Sequence, residues 1–497
     1  MMLLTSTTSI EDLLMKTSML PKILSLFLLT VVSLYILTCN SSFAFEVGVD
    51  DYETQLDAVD KSHQTFTYQF YQALTNSPEF KGENFNTLEA LTKASNAAIE
   101  KEDSVKAIAL IIKNKKLLSR YYDSPYTITL INVLLDHNVY VHAGKIMQTI
   151  RQQNDDIINE QLNYLTTHFQ FTRKAWPAVL ANFEDDIKTL PTAQYDHALL
   201  MKGIALQKLG KHDLSTNIYQ KISLSSSHYG NAQFNIALAN IRQGWWSDGH
   251  RLLKNIIKRQ NTDVDSITTV DNMLDRLHIT LGFSLLNQSY YRNARKSFQH
   301  VGLHSRYSNQ ALLGIALTAA HQDDYIGALH ATRYLKNVEQ DDLPVDEAYL
   351  LMPFFYEKTQ QLDTASAGYS EAEFYYQKKI SQLTMLINTP ILLPELIEQP
   401  EHSFQMNIKD MNIDFSENYP DYYFKQRQSF LDCASRVTTL NNDKVSAEFK
   451  EVKSQYQNLT TKMAKSIMKK RVSELQSYLN QSRYGLARLY DNNTVEK

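Results

Sequence analysis

The sequence predicts an all-α solenoid of stacked helical hairpins, finished by a separate helical hairpin at the C-terminus. Three observations carry this expectation. A period of 34 to 36 residues runs through the middle of the chain. Gly210 and Gly244 lie 34 apart, Gly203 maps on Ala237 and Tyr219 on Leu253, while Leu281, Gly282, Leu285, Ala294 and Phe298 map 34 residues on to Ile315, Ala316, Ala319, Ala328 and Thr332. A fixed period of this size marks stacked two-helix units, each burying its apolar face on its neighbours. The 497 residues hold only 14 Gly and 11 Pro, too few for a turn-rich β architecture. Apolar residues also recur at three- and four-residue spacing between short polar turns.

The first 44 residues form a separate piece. Lys16 and Lys22 precede an apolar run from Ile23 to Leu37, and Ser42-Phe43-Ala44 offers the small residues a signal peptidase reads. The segment is expected to be a secretory signal cleaved after Ala44, or an uncleaved anchor, since Met19 to Thr38 has about the 20 residues a bilayer span requires. In both cases the body is exported, with a periplasmic location expected, soluble or anchored to the inner membrane. Thr38 ahead of Cys39 departs from the small residue a lipoprotein signal carries there. Cleavage after Ala44 would leave Cys433 alone, so packing and not a disulfide must hold the mature chain.

Residues 45–87 read as an N-terminal helical segment, and residues 88–379 as the repeat array. Aligned turns give eight repeats beginning near Leu88, Ser124, Glu160, Asp196, Gly230, Asp275, Asn309 and Asp346, with one polar insertion from about Lys258 to Asn272. The second helix of each needs a small residue where it crosses the first: Ala107, Ala143, Val179, Ser215, Gly249, Ala294, Ala328 and Ala365. Four residues later, on the same face, a large side chain fills the groove: Ile111, Met147, Phe183, Tyr219, Leu253, Phe298, Thr332 and Tyr369. Pro390, Pro394, Pro400 and Pro420 make 380–420 an expected irregular linker. Residues 421–497 read as the C-terminal hairpin, divided at Asn441-Asn442-Asp443. Its second helix carries an apolar seam through Phe449, Val452, Tyr456, Leu459 and Met463. Pairing with 421–440 or with a second chain would each bury that seam.

These residues resemble the tetratricopeptide repeat family across about Leu88 to Lys379, most strongly from Asp196 to Tyr369, with turn aromatics at Tyr140, Trp176, Trp246, Tyr291 and Tyr325. Ile131 and Pro353 depart from the small residue of the first helix. The resemblance implies a right-handed superhelix with a concave groove lined by first helices. Members that hold a chaperone's C-terminal carboxylate use Lys and Asn at set groove positions, where this chain has Leu200, Ile204, Leu313 and Leu317, so that role is not expected.

No sequence pattern points to catalysis. HExxH, GxSxG, CxxC and a phosphate-binding glycine loop are missing from the sequence, so no catalytic residue, cofactor or metal is expected. His300 and His304 are four apart but flank Gly302, and no third ligand is placed. Cys433 reads as a buried structural cysteine, and the cluster Lys465, Lys469, Lys470 and Arg471 as a solvated face offset by Glu474. A net charge of −4 argues against nucleic acid as the main partner. The expected activity is protein binding, as an adaptor or assembly scaffold, with an envelope-machine subunit as the alternative. The expected groove residues for a protein or peptide segment are Asn231, Phe234, Arg242, Arg276, Phe283, Asn287, Gln310, His321, Glu347, Phe354 and Lys358, which combine apolar area with directional hydrogen bonding.

Overall fold

The computed structural model describes residues 49–182, 189–260, 270–338, 342–389, 395–398, 404–408, 411–414 and 421–495. The signal or anchor expected at 1–44 and the groove-filling Phe183 lie outside the described residues. Helix α1 spans Val49–Thr75 and ends in a 3-10 turn at Pro78–Phe80. The hairpins follow as α2 (Leu88–Glu100) with α3 (Ser104–Lys113) and a short α4 (Lys115–Arg120), α5 (Pro125–Asp136) with α6 (Tyr140–Arg151), α7 (Asp156–Thr172) with α8 (Trp176–Ala181), and α9 (Thr192–Lys208) with α10 (His212–Tyr219). The later hairpins are α11 (Tyr229–Arg242) with α12 (Trp246–Gln260), α13 (Val270–Asn287) with α14 (Tyr291–Phe298), α15 (Ser308–Ala320) with α16 (Tyr325–Lys336), and α17 (Leu343–Lys358) with α18 (Leu362–Ile387). Three strands, β1 (Glu395–Glu398), β2 (Phe404–Ile408) and β3 (Met411–Asp414), precede α19 (Asp421–Asp432), α20 (Ala434–Thr439) and α21 (Asp443–Val495).

The eight expected hairpins are present, and one backbone device fixes their register. The residue fourteen places after each sequence-assigned start has positive φ: Glu102, Asn138, Lys174, Gly210, Gly244, Ser289, Asp323 and Gln360. Each is the left-handed residue that closes a first helix. Around Gly210, for example, the amide of Lys211 donates to the Leu206 carbonyl over 2.9 Å and that of Gly210 to Gln207 over 3.1 Å. The same doublet recurs at Ser289, where Tyr290 donates to Leu285 and Ser289 to Leu286. This pattern satisfies carbonyls that the helix end would otherwise leave bare.

The small-to-large scheme of the sequence is realised in the packing. Ala107, Ala143, Val179, Ser215, Ala294, Ala328 and Ala365 are fully covered, and so are Ile111, Tyr219, Leu253, Phe298 and Thr332 to within about 1%. The Tyr219 ring lies directly against Gly203. Phe298 is held from two sides: a Cβ added to Gly282 of its own hairpin or to Gly314 of the next would stand 2.5 Å from the ring. Turn aromatics tie two of the hairpins to their successors, with Tyr140 on Phe169 at 5.2 Å and Tyr291 stacked on His321 at 4.6 Å.

The chain divides into two compact units, the first formed by residues 44–252 with 373–480 and the second by 253–372 with 481–497. In the first, α1, α19 and α21 share an aromatic core. Phe66 meets Phe430 at 5.1 Å and Phe449 at 5.7 Å, Phe430 stacks on Phe449 at 4.6 Å, and the Tyr423 hydroxyl bonds the Tyr456 carbonyl at 3.1 Å. The C-terminal hairpin therefore pairs within its own chain. In the second unit, the end of α21 covers the last hairpin: Leu489 joins Ala365 and Tyr369 in one cluster, and Arg488 pairs with Glu357.

Three local expectations change. The stretch 380–420, expected to be irregular, opens with the tail of α18, which continues past Lys379 to Ile387 because no breaker intervenes before Pro390. It also holds an antiparallel three-stranded sheet ordered β1-β2-β3. The polar insertion at 258–272 is flanked by helix to Gln260 and from Val270. The first half of the C-terminal hairpin is broken at Cys433 into α19 and α20.

Candidate functional site

Counted from the eight starts, the expected groove residues fall on four registers of the first helix, and the structure separates those registers by burial. The two apolar ones turn inward. Leu200, Phe234, Ile279 and Leu313 share one and are all buried, while Leu238, Phe283 and Leu317 on the other are likewise buried. Phe234 and Phe283 are therefore core residues and not groove residues, with Phe283 meeting Phe298 edge-on at 4.8 Å. Phe354 is half-buried and packs against the clusters around Ala316 and Tyr369. Glu347, a polar residue expected at the surface, is also buried at 4% exposure.

Apart from Glu347, the two polar registers stay at the surface. Asn231 and Arg276 are exposed and Gln310 is half-buried on the second position of the first helix. At its last turn Arg242 and Lys358 are exposed, and Asn287 and His321 half-buried. Lys358 lies over the Phe354 ring at 5.3 Å. Burial lowers the His321 imidazole below its ordinary value, and its ring stacks on Tyr291.

The same registers reveal residues the sequence reading passed over. His197 occupies the second position and joins a run of rings drawn from successive hairpins. It stacks on His228 at 4.7 Å, meets His168 at 5.5 Å and takes a 2.8 Å hydrogen bond with the Tyr164 hydroxyl. Burial, then the neighbouring His228 and His168, push its pKa down to about 4. Lys208 occupies the same register as Arg242. It is solvent-accessible, yet the surrounding protein and then the charges of Arg242 and Lys174 bring its ammonium down to about 8.

Of the remaining candidates, His300 stacks on His278 at 4.8 Å and its Nδ1 lies 2.7 Å from the Lys296 carbonyl, while His304 stands exposed. Among the described residues no group of three or more His, Cys, Asp or Glu is arranged to hold a metal. Cys433 is buried, which raises its thiol pKa, and its Sγ contacts the Ser429 carbonyl at 3.4 Å. Arg471 meets Glu474 at 3.7 Å, with Lys469 and Lys470 exposed beside it. Among the described residues no helix is long and apolar enough to cross a membrane.

This geometry defines a helical-repeat protein whose units are two-helix hairpins with polar first-helix registers at the surface. No protein-family model matches the chain, and no curated protein matches it in sequence. Solved structures resemble it distantly. The apo form of RapI is 13% identical with a TM-score of 0.40, covering 61% of this chain and 91% of that one. A tetratricopeptide repeat protein from Parabacteroides merdae ATCC 43184 is 15% identical with a TM-score of 0.32, covering 52% and 96%. A Rap protein complexed with competence and sporulation factor is 10% identical with a TM-score of 0.27, covering 80% and 99%.

Proposed function

We propose that the chain is a non-catalytic protein-binding scaffold that holds a segment of a partner protein on its first-helix registers. The observation that carries this is the partition just described: the hairpins bury their apolar registers and leave Asn231 and Arg242 accessible in the first unit, and Arg276, Gln310, His321 and Lys358 in the second. Such residues are fixed on helices already packed, so a partner segment would bind without the protein first paying to order itself. Location is part of the proposal. The Lys-flanked apolar run and the Ser42-Phe43-Ala44 site support export to the bacterial envelope, as a periplasmic protein or one anchored through residues 19–38.

The test is crosslinking and co-purification from the native envelope with the full chain and with Arg276→Glu/Lys358→Glu. Both side chains are exposed, so the variant should keep the wild-type melting temperature and lose the partner. An unchanged set of co-purified proteins would remove the first-helix registers from the binding surface. Mass spectrometry of the purified protein should find Phe45 as the first residue if the signal is cleaved.

A further inference from the structure

Within the first unit, the edge that carries the turns between the two helices of each hairpin changes sign along its length. At the first hairpin Glu100, Glu102 and Asp103 outnumber Lys101, and at the second stands Asp136. At the third come Arg173 and Lys174, at the fourth Lys208 and Lys211, and at the fifth Arg242. On the acidic half Asp103 is met by the chain itself, while Glu100, Glu102 and Asp136 stay exposed. Arg436 of α20 makes two 2.9 Å hydrogen bonds to the Asp103 carboxylate and a 3.3 Å ion pair with Glu79. Arg173, at the change of sign, is spent on Asp60 at 2.7 Å.

Among the described residues no partner meets the basic half in this way. Lys174, Lys208, Lys211 and Arg242 are exposed and make no ion pair or side-chain hydrogen bond with a described residue. Among the described residues, Asp248, the acid nearest in sequence to Arg242, is taken by Arg251 at 2.7 Å, and Asp213 bonds to neither Lys211 nor Lys208. Exposed apolar side chains stand between the cations: Leu209 is 39% and Trp245 56% accessible. Cations flanking an exposed tryptophan suit a ligand that brings both carboxylates and apolar area.

Resting on the scaffold reading above, we propose that the turn edge from Lys174 to Trp245 docks an acidic, partly apolar segment of the partner protein. Its carboxylates would meet Lys174, Lys208, Lys211 and Arg242, as Asp103 meets Arg436 farther along the same edge, while Leu209 and Trp245 take the apolar side chains. Lys208 and Arg242 lie close enough to repel each other. An anion placed between them relieves that repulsion, which makes this pair the expected centre of the site.

Fluorescence anisotropy on the full chain tests this with three labelled probes: a short peptide of Glu, Asp, Leu and Phe, its counterpart with Lys for each acid, and oligothymidylate. The acidic peptide should bind, weaken with added salt, and lose at least about tenfold in affinity with Lys208→Glu/Arg242→Glu. That variant should instead gain affinity for the basic peptide, a reversal that a damaged fold would not produce. Lys208→Met/Arg242→Met, with its melting temperature measured alongside, should lose the acidic peptide without gaining the basic one. Acidic-peptide binding indifferent to both variants overturns the proposal, and so does tighter binding of oligothymidylate through the same residues. If Arg276→Glu/Lys358→Glu abolishes native co-purification while the acidic peptide ignores the Lys208 edge, the edge assignment fails and the scaffold reading stands.

Discussion

At the scale of single residues, the left-handed turn position explains why the period surfaces first at two glycines. Eight hairpins require positive φ there, but only Gly210 and Gly244 supply the residue for which that conformation costs least. The other six spend side-chain sterics on the same backbone, so the sequence shows no common letter at the position that fixes the register most firmly. Ser289→Gly should therefore stabilise the protein by about 0.5–1 kcal/mol, while Gly210→Ala should cost about 1 kcal/mol although nothing lies within 4 Å of its Cβ position. Urea unfolding midpoints will check both signs. A second prediction at this scale concerns pH. His63 lies edge-on to Phe430 and Tyr456 and His142 stacks on Tyr68; burial is the main cause that brings each to about 4, from an ordinary 6.5. Between those values the unfolded chain binds the extra protons, so the stabilisation is whole above about pH 6.5 and drains as pH falls toward 4. Each histidine contributes on the order of 3 kcal/mol at most. Melting temperature should drop between neutral pH and about pH 5, and His63→Phe should flatten that slope; equal slopes in the two proteins would refute the assignment.

At the scale of elements, the hairpin is held by one large side chain reaching across a glycine. Phe298 is 1% exposed and is in contact with the first helices of two successive hairpins, through Gly282 and Gly314. Phe298→Ala should destabilise by about 3–5 kcal/mol, and Gly282→Leu by about 1–3 kcal/mol or more from overpacking, with the larger loss expected for the alanine. Calorimetry of the two variants separates these outcomes. This pairing was legible because it repeats: Tyr219 with Gly203 and Phe298 with Gly282 stand at equal offsets. The accessible registers were legible in part. Polarity at the second and last positions of the first helix correctly marks accessible residues such as Asn231 and Arg242. Aromatic character misleads at Phe234 and Phe283, since on a tightly stacked helix the same ring serves the core or the surface equally well, and only neighbouring backbones decide. The residues passed over, His197 and Lys208, sit on those same polar registers one hairpin earlier, so counting by register over the whole array finds them. The strands at 395–414 were hidden by the prolines around them, which mark breaks in helix but do not forbid short strands between.

At the scale of the whole molecule, each unit is closed by residues far apart in sequence, and this closure left no periodic trace. In the first unit Asp60 receives Arg173 at 2.7 Å, the Gln426 amide at 2.6 Å and the Tyr140 hydroxyl at 3.0 Å, so one carboxylate joins α1, the start of α6, the turn after α7, and α19. Tyr422 covers the Arg173 guanidinium at 4.4 Å. Burial opposes ionisation of Asp60, but Arg173 and the two hydrogen-bond donors outweigh it and hold the carboxyl below its ordinary value. The partners Asp60 and Gln426 are 366 residues apart, beyond any spacing rule. Removing one member strands the other: Arg173→Met should cost about 3–5 kcal/mol, because the buried carboxylate loses its counter-charge and keeps only the Gln426 and Tyr140 donors, whereas Asp60→Leu/Arg173→Met should recover most of that loss. Urea unfolding of the wild type, Asp60→Leu, Arg173→Met and the double variant tests the coupling, and strictly additive effects of the two single changes would show that the pair does not act as one unit. The same closure makes residues 421–495 structural and not an appendage. Deleting them uncovers His63 and Phe66 in the first unit and the Ala365 and Tyr369 cluster in the second, so the truncated chain should bind a hydrophobic dye and aggregate, while retaining the helical signal of its hairpins. A truncated chain that stays monomeric and dye-negative would mean that the hairpins bury their own ends without this segment.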